Sequence, residues 1–240
     1  MSEDVMALDF EHDIAVNEYG FYCVPQAYKG RSIVDLLIDG GVYEPQTLRL
    51  LRRKLGGGDI VTGGAFIGDF LPALHQRLAP DAKIHTFEPV PTSFAATEET
   101  IRMNNLSQIS FNNVGVGAEP GKMTMMVTRP NGTPIAAGER IVEGEDADGK
   151  RFIDIEVKTI DSLVPRTRQV SILHLDVEGF ERPALEGAGR ILNDSKPLVV
   201  LEGDKRWQKA DYKALLNELA PKAGYHVAGS MENNTFYLPL

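Results

Sequence analysis

Three sets of residues in this chain have types and spacings that can do chemistry. The first is Thr62-Gly63-Gly64-Ala65-Phe66-Ile67-Gly68, a glycine turn between a short apolar run and an amphipathic one. Glycines there let the backbone turn tightly and approach a ligand, while the following helix start presents free N–H groups. The second is Glu88, which closes the next apolar run twenty residues after Gly68. A carboxylate at that distance comes to lie beside the first turn and can accept both hydroxyls of a ribose. Together these two predict a nucleoside pocket across the ends of two neighbouring strands. Their alternative is plain turn geometry and an exposed strand-end acid. The dinucleotide fingerprint G-x-G-x-x-G would need a glycine at position 65, where this chain has Ala65. The position that admits a pyrophosphate is therefore filled, which favours a phosphate-free cofactor such as S-adenosylmethionine over NAD.

The third set is acidic: Asp176 and Glu178 after one apolar run, Glu202 and Asp204 after the next, with His174 just upstream. In a doubly wound sheet the reactive crevice lies outside the carboxyl ends of the strands, so all four carboxylates are expected at its rim. Such groups can take a proton from an acceptor hydroxyl. Asp176 is the first choice for a group near the cofactor's amino end or the acceptor, and Glu178 and His174 are candidate proton acceptors. The alternatives are helix N-capping for the two acids and a structural, hydrogen-bonded role for His174. Asn112-Asn113-Val114-Gly115 ends a third strand, where Asn113 and Val114 could meet an adenine edge or merely serve a turn. The methionines at 123–126 read as filler on half-buried strand faces, and Trp207 as a packing residue at a helix start. No metal site is expected.

These residues need elements to hold them, and the hydrophobic patterning supplies them. Short strands are expected at 59–62, 83–87, 109–114, 171–175 and 198–201, and helices at 33–37, 46–55, 70–78, 92–103, 182–192 and 206–219. Residues 21–25 look extended. Segments 122–128 and 152–158 alternate and read as an antiparallel pair, a hairpin insertion at about 120–160. The stretch 129–150 between them reads as a loop. Segments 225–228 and 235–238 form a terminal hairpin around a polar turn at 230–234. Alternating strands and helices give an α/β, doubly wound, mostly parallel sheet whose last strand is antiparallel. Residues 1–58 form an N-terminal helical and extended segment, expected as a substrate-side cap on a domain at 59–240.

Composition agrees with a globular chain of 240 residues, 42% hydrophobic and 25% charged. The net charge of −9 argues against nucleic acid or an anionic membrane as partner. A single cysteine, Cys23, allows no internal disulfide or cysteine-built zinc site. Without a long apolar run or a basic-then-apolar leader, the expected location is cytoplasmic.

Several motifs in order give a closer comparison: Tyr43-Glu44-Pro45, Gly64-Ala65-Phe66-Ile67-Gly68, Phe87-Glu88-Pro89, Asn104-Asn105-Leu106, Thr159-Ile160-Asp161-Ser162-Leu163 and Leu173-His174-Leu175-Asp176-Val177-Glu178-Gly179-Phe180-Glu181. In this order the chain resembles the FkbM family of S-adenosylmethionine-dependent methyltransferases. The counterparts there are a G-A-N-I-G-like loop, F-E-P, N-x-L, T-L-D-S-L and K-I-D-V-E-G-x-E. The resemblance implies a seven-stranded Rossmann-like methyltransferase sheet and cofactor contacts from Thr62, Gly64, Ala65, Phe66, Gly68, Glu88, Pro89, Asn113 and Val114. It implies methyl transfer to a hydroxyl of a small molecule, a sugar or secondary metabolite, with S-adenosyl-L-homocysteine as product. It requires no metal and leaves room for a homo-oligomer. Two positions depart from the family: Thr62 stands where an acid is usual, and His174 where lysine is usual. An NAD-dependent oxidoreductase and a catalytically degenerate S-adenosylmethionine-binding protein are the competing expectations.

Overall fold

The central strands sort their side chains by parity. In β3 (Asp59–Gly63) Ile60 points to one face and Val61 to the other. Ile172 and Leu173 of β10 (Val170–Leu175) divide the same way, as do Val200 and Val199 of β11 (Leu198–Glu202). Runs apolar at every position are what a strand needs when helices cover both faces. One face packs Leu48, Leu51, Leu71 and Leu74; the other packs Ala184, Leu185, Ile191, Leu192 and Leu216.

The computed structural model describes residues 8–128, 134–141 and 151–240. An N-terminal hairpin, β1 (His12–Asn17) and β2 (Gly20–Pro25), is followed by α1 (Ser32–Ile38) and α2 (Pro45–Lys54). The core then runs β3, α3 (Leu71–His75), β4 (Ile84–Phe87), α4 (Pro91–Met103) and β5 (Ile109–Asn112). Strands β6 (Gly115–Val116), β7 (Gly121–Thr128), β8 (Pro134–Ile141) and β9 (Phe152–Lys158) make a separate sheet of order β6-β9-β7-β8. After α5 (Ile160–Leu163) come β10, α6 (Glu181–Glu186), α7 (Gly189–Asp194), β11, α8 (Arg206–Leu219), β12 (His226–Met231) and β13 (Asn234–Leu238). The main sheet has seven strands in the order β12-β13-β11-β10-β3-β4-β5. Strands β11, β10, β3, β4 and β5 are mutually parallel, and β13 is antiparallel to both its neighbours. This is the doubly wound, mostly parallel sheet expected from the sequence, with β3 and β10 central.

Several expectations need correcting. The stretch read as a loop at 129–150 contains β8, antiparallel to β7; the rest of that stretch lies outside the described residues. The single helix expected at 182–192 is two, α6 and α7. A Cβ on Gly187, at their junction, would sit 2.1 Å from the Gly117 carbonyl oxygen, so backbone contact with the second sheet breaks the helix there. The helix expected at 70–78 is confined to Leu71–His75. The terminal hairpin turns on two residues, Glu232 (φ 48) and Asn233 (φ 65), both left-handed as a tight type I′ turn requires. Trp207 is 66% exposed and packs into no core. Among the described residues no helix is long and apolar enough to cross a membrane.

Two polar arrangements fix the frame. At the start of β3, buried Asp59 accepts from His85 Nε2 (2.7 Å), Arg168 Nε (2.7 Å) and the Lys83 N–H (2.9 Å). At the other end of the chain, the Glu232 carboxylate caps α2 by accepting from the Gln46 (3.1 Å) and Thr47 (2.7 Å) amides. The hairpin turn thus holds Tyr43-Glu44-Pro45 against the ends of the central strands.

Candidate active site

Close contacts at Gly64 and Gly68 hold the glycine turn. Gly64 adopts φ 80, and a Cβ there would lie 1.9 Å from the Asp176 carbonyl oxygen. Gly68 (φ 81) packs under Thr97 and Thr100 of α4. Phe66 also takes left-handed backbone, φ 50, where the resembled loop has asparagine, a residue that tolerates this region far better. Three interactions hold Phe66 in place. Its N–H donates to Glu88 Oε2 (2.9 Å), its carbonyl accepts from Thr97 Oγ1 (2.8 Å), and its ring stacks on Tyr28 (5.6 Å). Thr100 Oγ1 donates to the Ile67 carbonyl (2.9 Å) and accepts from the Cys23 N–H (3.0 Å), so α4 stitches the turn to the N-terminal hairpin. Asn104, the first residue of the N-x-L element, exchanges hydrogen bonds with both Phe21 backbone groups (2.9 and 2.6 Å).

Above this turn opens a cavity of about 580 Å³. It is large enough for a nucleoside cofactor. Thr62, Gly64, Ala65, Phe66, Glu88, Pro89 and Val114 line it, as do His174, Asp176 and Glu178. Gly68 and Asn113 do not. Gly68 serves the turn, and the Asn113 amide donates to the Glu88 (2.7 Å) and Pro89 (3.3 Å) carbonyls, pinning the end of β4. The methionines read as filler are partly wall: Met123 and Met125 of β7 line the cavity together with Ile155 and Val157 of β9. Arg31, Ile33, Tyr43 and Asp69 also reach the cavity. Tyr43 was marked only as part of a motif, and no local pattern points to Arg31 or Ile33.

The carboxylates divide by environment. Glu88 is buried, and each of its oxygens accepts one backbone N–H, from Phe66 and from Val90 (2.9 Å). Each keeps a lone pair for a ligand hydroxyl. Burial raises Glu88 to about 8 and Asp69 to about 7. Asp176 is pushed well above the carboxylate range by burial, then by Glu202 and Glu178. Glu202 and Asp204, expected at the crevice, do not line it; Glu202 accepts instead from Asn233 Nδ2 (2.8 Å). Nor do Asp176 and Glu178 cap a helix: the N-cap of α6 is Phe180, without a side-chain cap. Buried Glu181 ties that turn, accepting from the Val177 (3.1 Å) and Gly179 (3.2 Å) amides and the Tyr212 hydroxyl (3.2 Å).

The two departures from the family pattern touch each other. His174 Nδ1 lies 2.9 Å from Thr62 Oγ1, its ring stacks on Phe70 (5.4 Å), and burial holds it down to about 4. At these two facing strand positions the chain has a neutral, hydrogen-bonded pair. A histidine so depressed is a poor proton acceptor, and its structural role is what the geometry supports.

These shifts make stability fall as pH rises. Asp69, Glu88 and Glu44 (about 8, by burial) hold protons in the folded chain at pH values where the unfolded chain has released them. His75, His85 and His174, held down by burial, work the other way and offset part of this near pH 6.5, but little once unfolded imidazoles have lost their protons above pH 7. From pH 6.5 to 8 the ligand-free protein is expected to lose roughly 1–3 kcal/mol of stability per pH unit. Urea unfolding at the two ends of that range checks it; a flat or rising midpoint would show that these acids are ionised when folded.

Comparison with known proteins follows the same outline. The family model for the Methyltransferase FkbM domain matches residues 63–227. Methyltransferase 1 of Beauveria bassiana (strain ARSEF 2860) is 26% identical over 143 residues, 53% of this chain and 57% of that protein. The chain thus spans little more than half the length of that relative. Among solved structures, methyltransferase FkbM from Methylobacillus flagellatus KT superposes with a TM-score of 0.54 at 19% identity, covering 76% of this chain and 43% of that one. The Pyrococcus abyssi tRNA (uracil-54, C5)-methyltransferase, in complex with S-adenosyl-L-homocysteine, gives 0.51 at 12% identity, covering 95% and 44%. At these identities the structural likeness is one of fold.

Proposed function

The chain belongs to the Methyltransferase FkbM domain family, and from that premise we propose that it is an S-adenosylmethionine-dependent O-methyltransferase acting on a hydroxyl of a small molecule. The observation that carries this reading is the glycine turn and buried Glu88 meeting in one cavity, with a carboxylate lone pair left on each oxygen. The donor set suits the cofactor. Glu88 would take the ribose hydroxyls, and Pro89, Val90 and Val114 offer an apolar wall to adenine. The bound cofactor supplies an electrophilic methyl group. The protein's task is to hold an acceptor oxygen in line with it and to receive the proton. Asp176 is the base we assign: it lines the cavity, its environment raises its basicity, and His174 is too weakly basic to compete. The apolar wall of Met123, Met125, Ile155 and Val157 supports water exclusion around the reacting groups.

Calorimetry with S-adenosylhomocysteine and with NADH tests the cofactor. The wild type should bind the first and not the second; the reverse would establish the oxidoreductase alternative. Glu88→Gln keeps the shape of the side chain but replaces one of the two oxygens that accept the Phe66 and Val90 N–H groups with an amide donor that cannot ionise. It should weaken S-adenosylhomocysteine about 10- to 100-fold. An unchanged dissociation constant would take Glu88 out of the site.

A further inference from the structure

The cavity wall is electrically lopsided. Arg31 is the single Lys or Arg lining it, and it stacks on Tyr28 (5.4 Å), a ring that also feels the charge of Glu88. Tyr43, Asp69 and Asp176 line the same cavity, and the Tyr43 hydroxyl is raised by burial and then by the charges of Glu44, Asp176 and Asp69. Among the described residues neither Asp69 nor Asp176 forms an ion pair. Thr62 cannot act as an ionic anchor there, and its hydroxyl is already paired with His174 Nδ1 (2.9 Å). His174 is 5% exposed and lines the same cavity, and its Nε2 is buried without a partner. A polar atom left open in this way points to a ligand completing the wall. The two cavity carboxylates without an ion pair call for a cation, and an organic one fits: among the described residues no three His, Cys, Asp or Glu side chains are grouped to hold a metal ion.

We propose that Asp69, with Tyr43 beside it, anchors the ammonium group of the cofactor's amino-acid end, replacing the acid that this chain lacks at position 62. The inference rests on reading the cavity as an S-adenosylmethionine site. The Asp69 side chain lines the cavity, and its carboxylate takes hydrogen bonds from its own backbone N–H and that of Phe70. An ammonium against a buried carboxylate makes a charge-assisted hydrogen bond, roughly twice as strong as a neutral one. Asp176 is thereby left free for the acceptor.

Two ligands separate this proposal from the reading it rests on. S-adenosylhomocysteine and 5′-methylthioadenosine share the adenosine and the thioether, but only the first carries the amino acid. Asp69→Asn should weaken S-adenosylhomocysteine about 10- to 100-fold and leave 5′-methylthioadenosine within about twofold, a difference far below one hydrogen bond. Equal losses for both ligands would mean that Asp69 only shapes the loop. No loss would remove it from the site, and tighter binding of S-adenosylhomocysteine would place the ligand's carboxylate there instead; each outcome overturns the proposal. If the wild type binds neither ligand, the cofactor reading itself fails. Melting of Asp69→Asn at or above the wild-type temperature confirms that the variant is folded, since a raised carboxylate costs folded-state stability at neutral pH.

Discussion

Gly64→Ala is expected to lower stability by more than about 3 kcal/mol, a fall of roughly 6–12 °C in Tm. Two costs combine. The backbone stands at φ 80, where a Cβ is strained, and that Cβ would lie 1.9 Å from the Asp176 carbonyl oxygen. The obstacle is backbone at the end of β10, so no side chain can swing aside. Relief requires β3 and β10 to part where Thr62, His174 and Asp176 enter the cavity, and S-adenosylhomocysteine binding should fall with stability. Gly179→Ala is the control. Its φ of 91 carries a similar strain, but nothing lies within 4 Å of the added carbon, so about 1 kcal/mol is expected. Thermal unfolding of the two variants decides the matter; equal melting temperatures would show that the strands yield.

Asp176→Asn should cut turnover by about 10²- to 10⁴-fold while leaving the dissociation constant of S-adenosylhomocysteine within about threefold. The amide keeps the size of the carboxylate but cannot accept the proton released as the acceptor oxygen forms its new bond. Because burial and the neighbouring acids raise Asp176, the wild-type rate should climb with pH as the base ionises, and the variant should lose that limb. The measurement is S-adenosylhomocysteine formation against pH, with any hydroxyl acceptor the wild type turns over. A variant with unaltered rate and profile would exclude Asp176 from proton transfer.

The parts of this site legible in the sequence were those whose meaning is local. A glycine turn after an apolar run and an acid closing the next run lie in adjacent parallel strands, so their spacing in the chain fixes their meeting in space. The hairpin end of the sheet was legible for the same reason. What distance along the chain conceals is close approach. Gly187 sits in a helical pattern and gives no hint that the Gly117 carbonyl lies against it. Capping is an alternative reading for Asp176 and Glu178, and only the placement of Glu181 under the turn shows which acid ties the backbone. Glu202 follows an apolar strand just as Asp176 does, yet the β12–β13 turn claims it through Asn233. Arg31 and Ile33 reach the cavity by way of an N-terminal segment whose path no periodicity specifies. Trp207 was expected to pack because of its size, but its place at the solvent-facing start of α8 decides otherwise.

The Thr100 hydroxyl carries two bonds at once, giving its proton to Ile67 and accepting one from Cys23. A hydroxyl has one hydrogen, so neither bond can be exchanged for the other. Any displacement of the glycine turn must lengthen one link or drag both ends together. Occupancy of the cleft and rigidity of the amino-terminal ribbon therefore share a hinge pin, although no ligand atom needs to touch that ribbon.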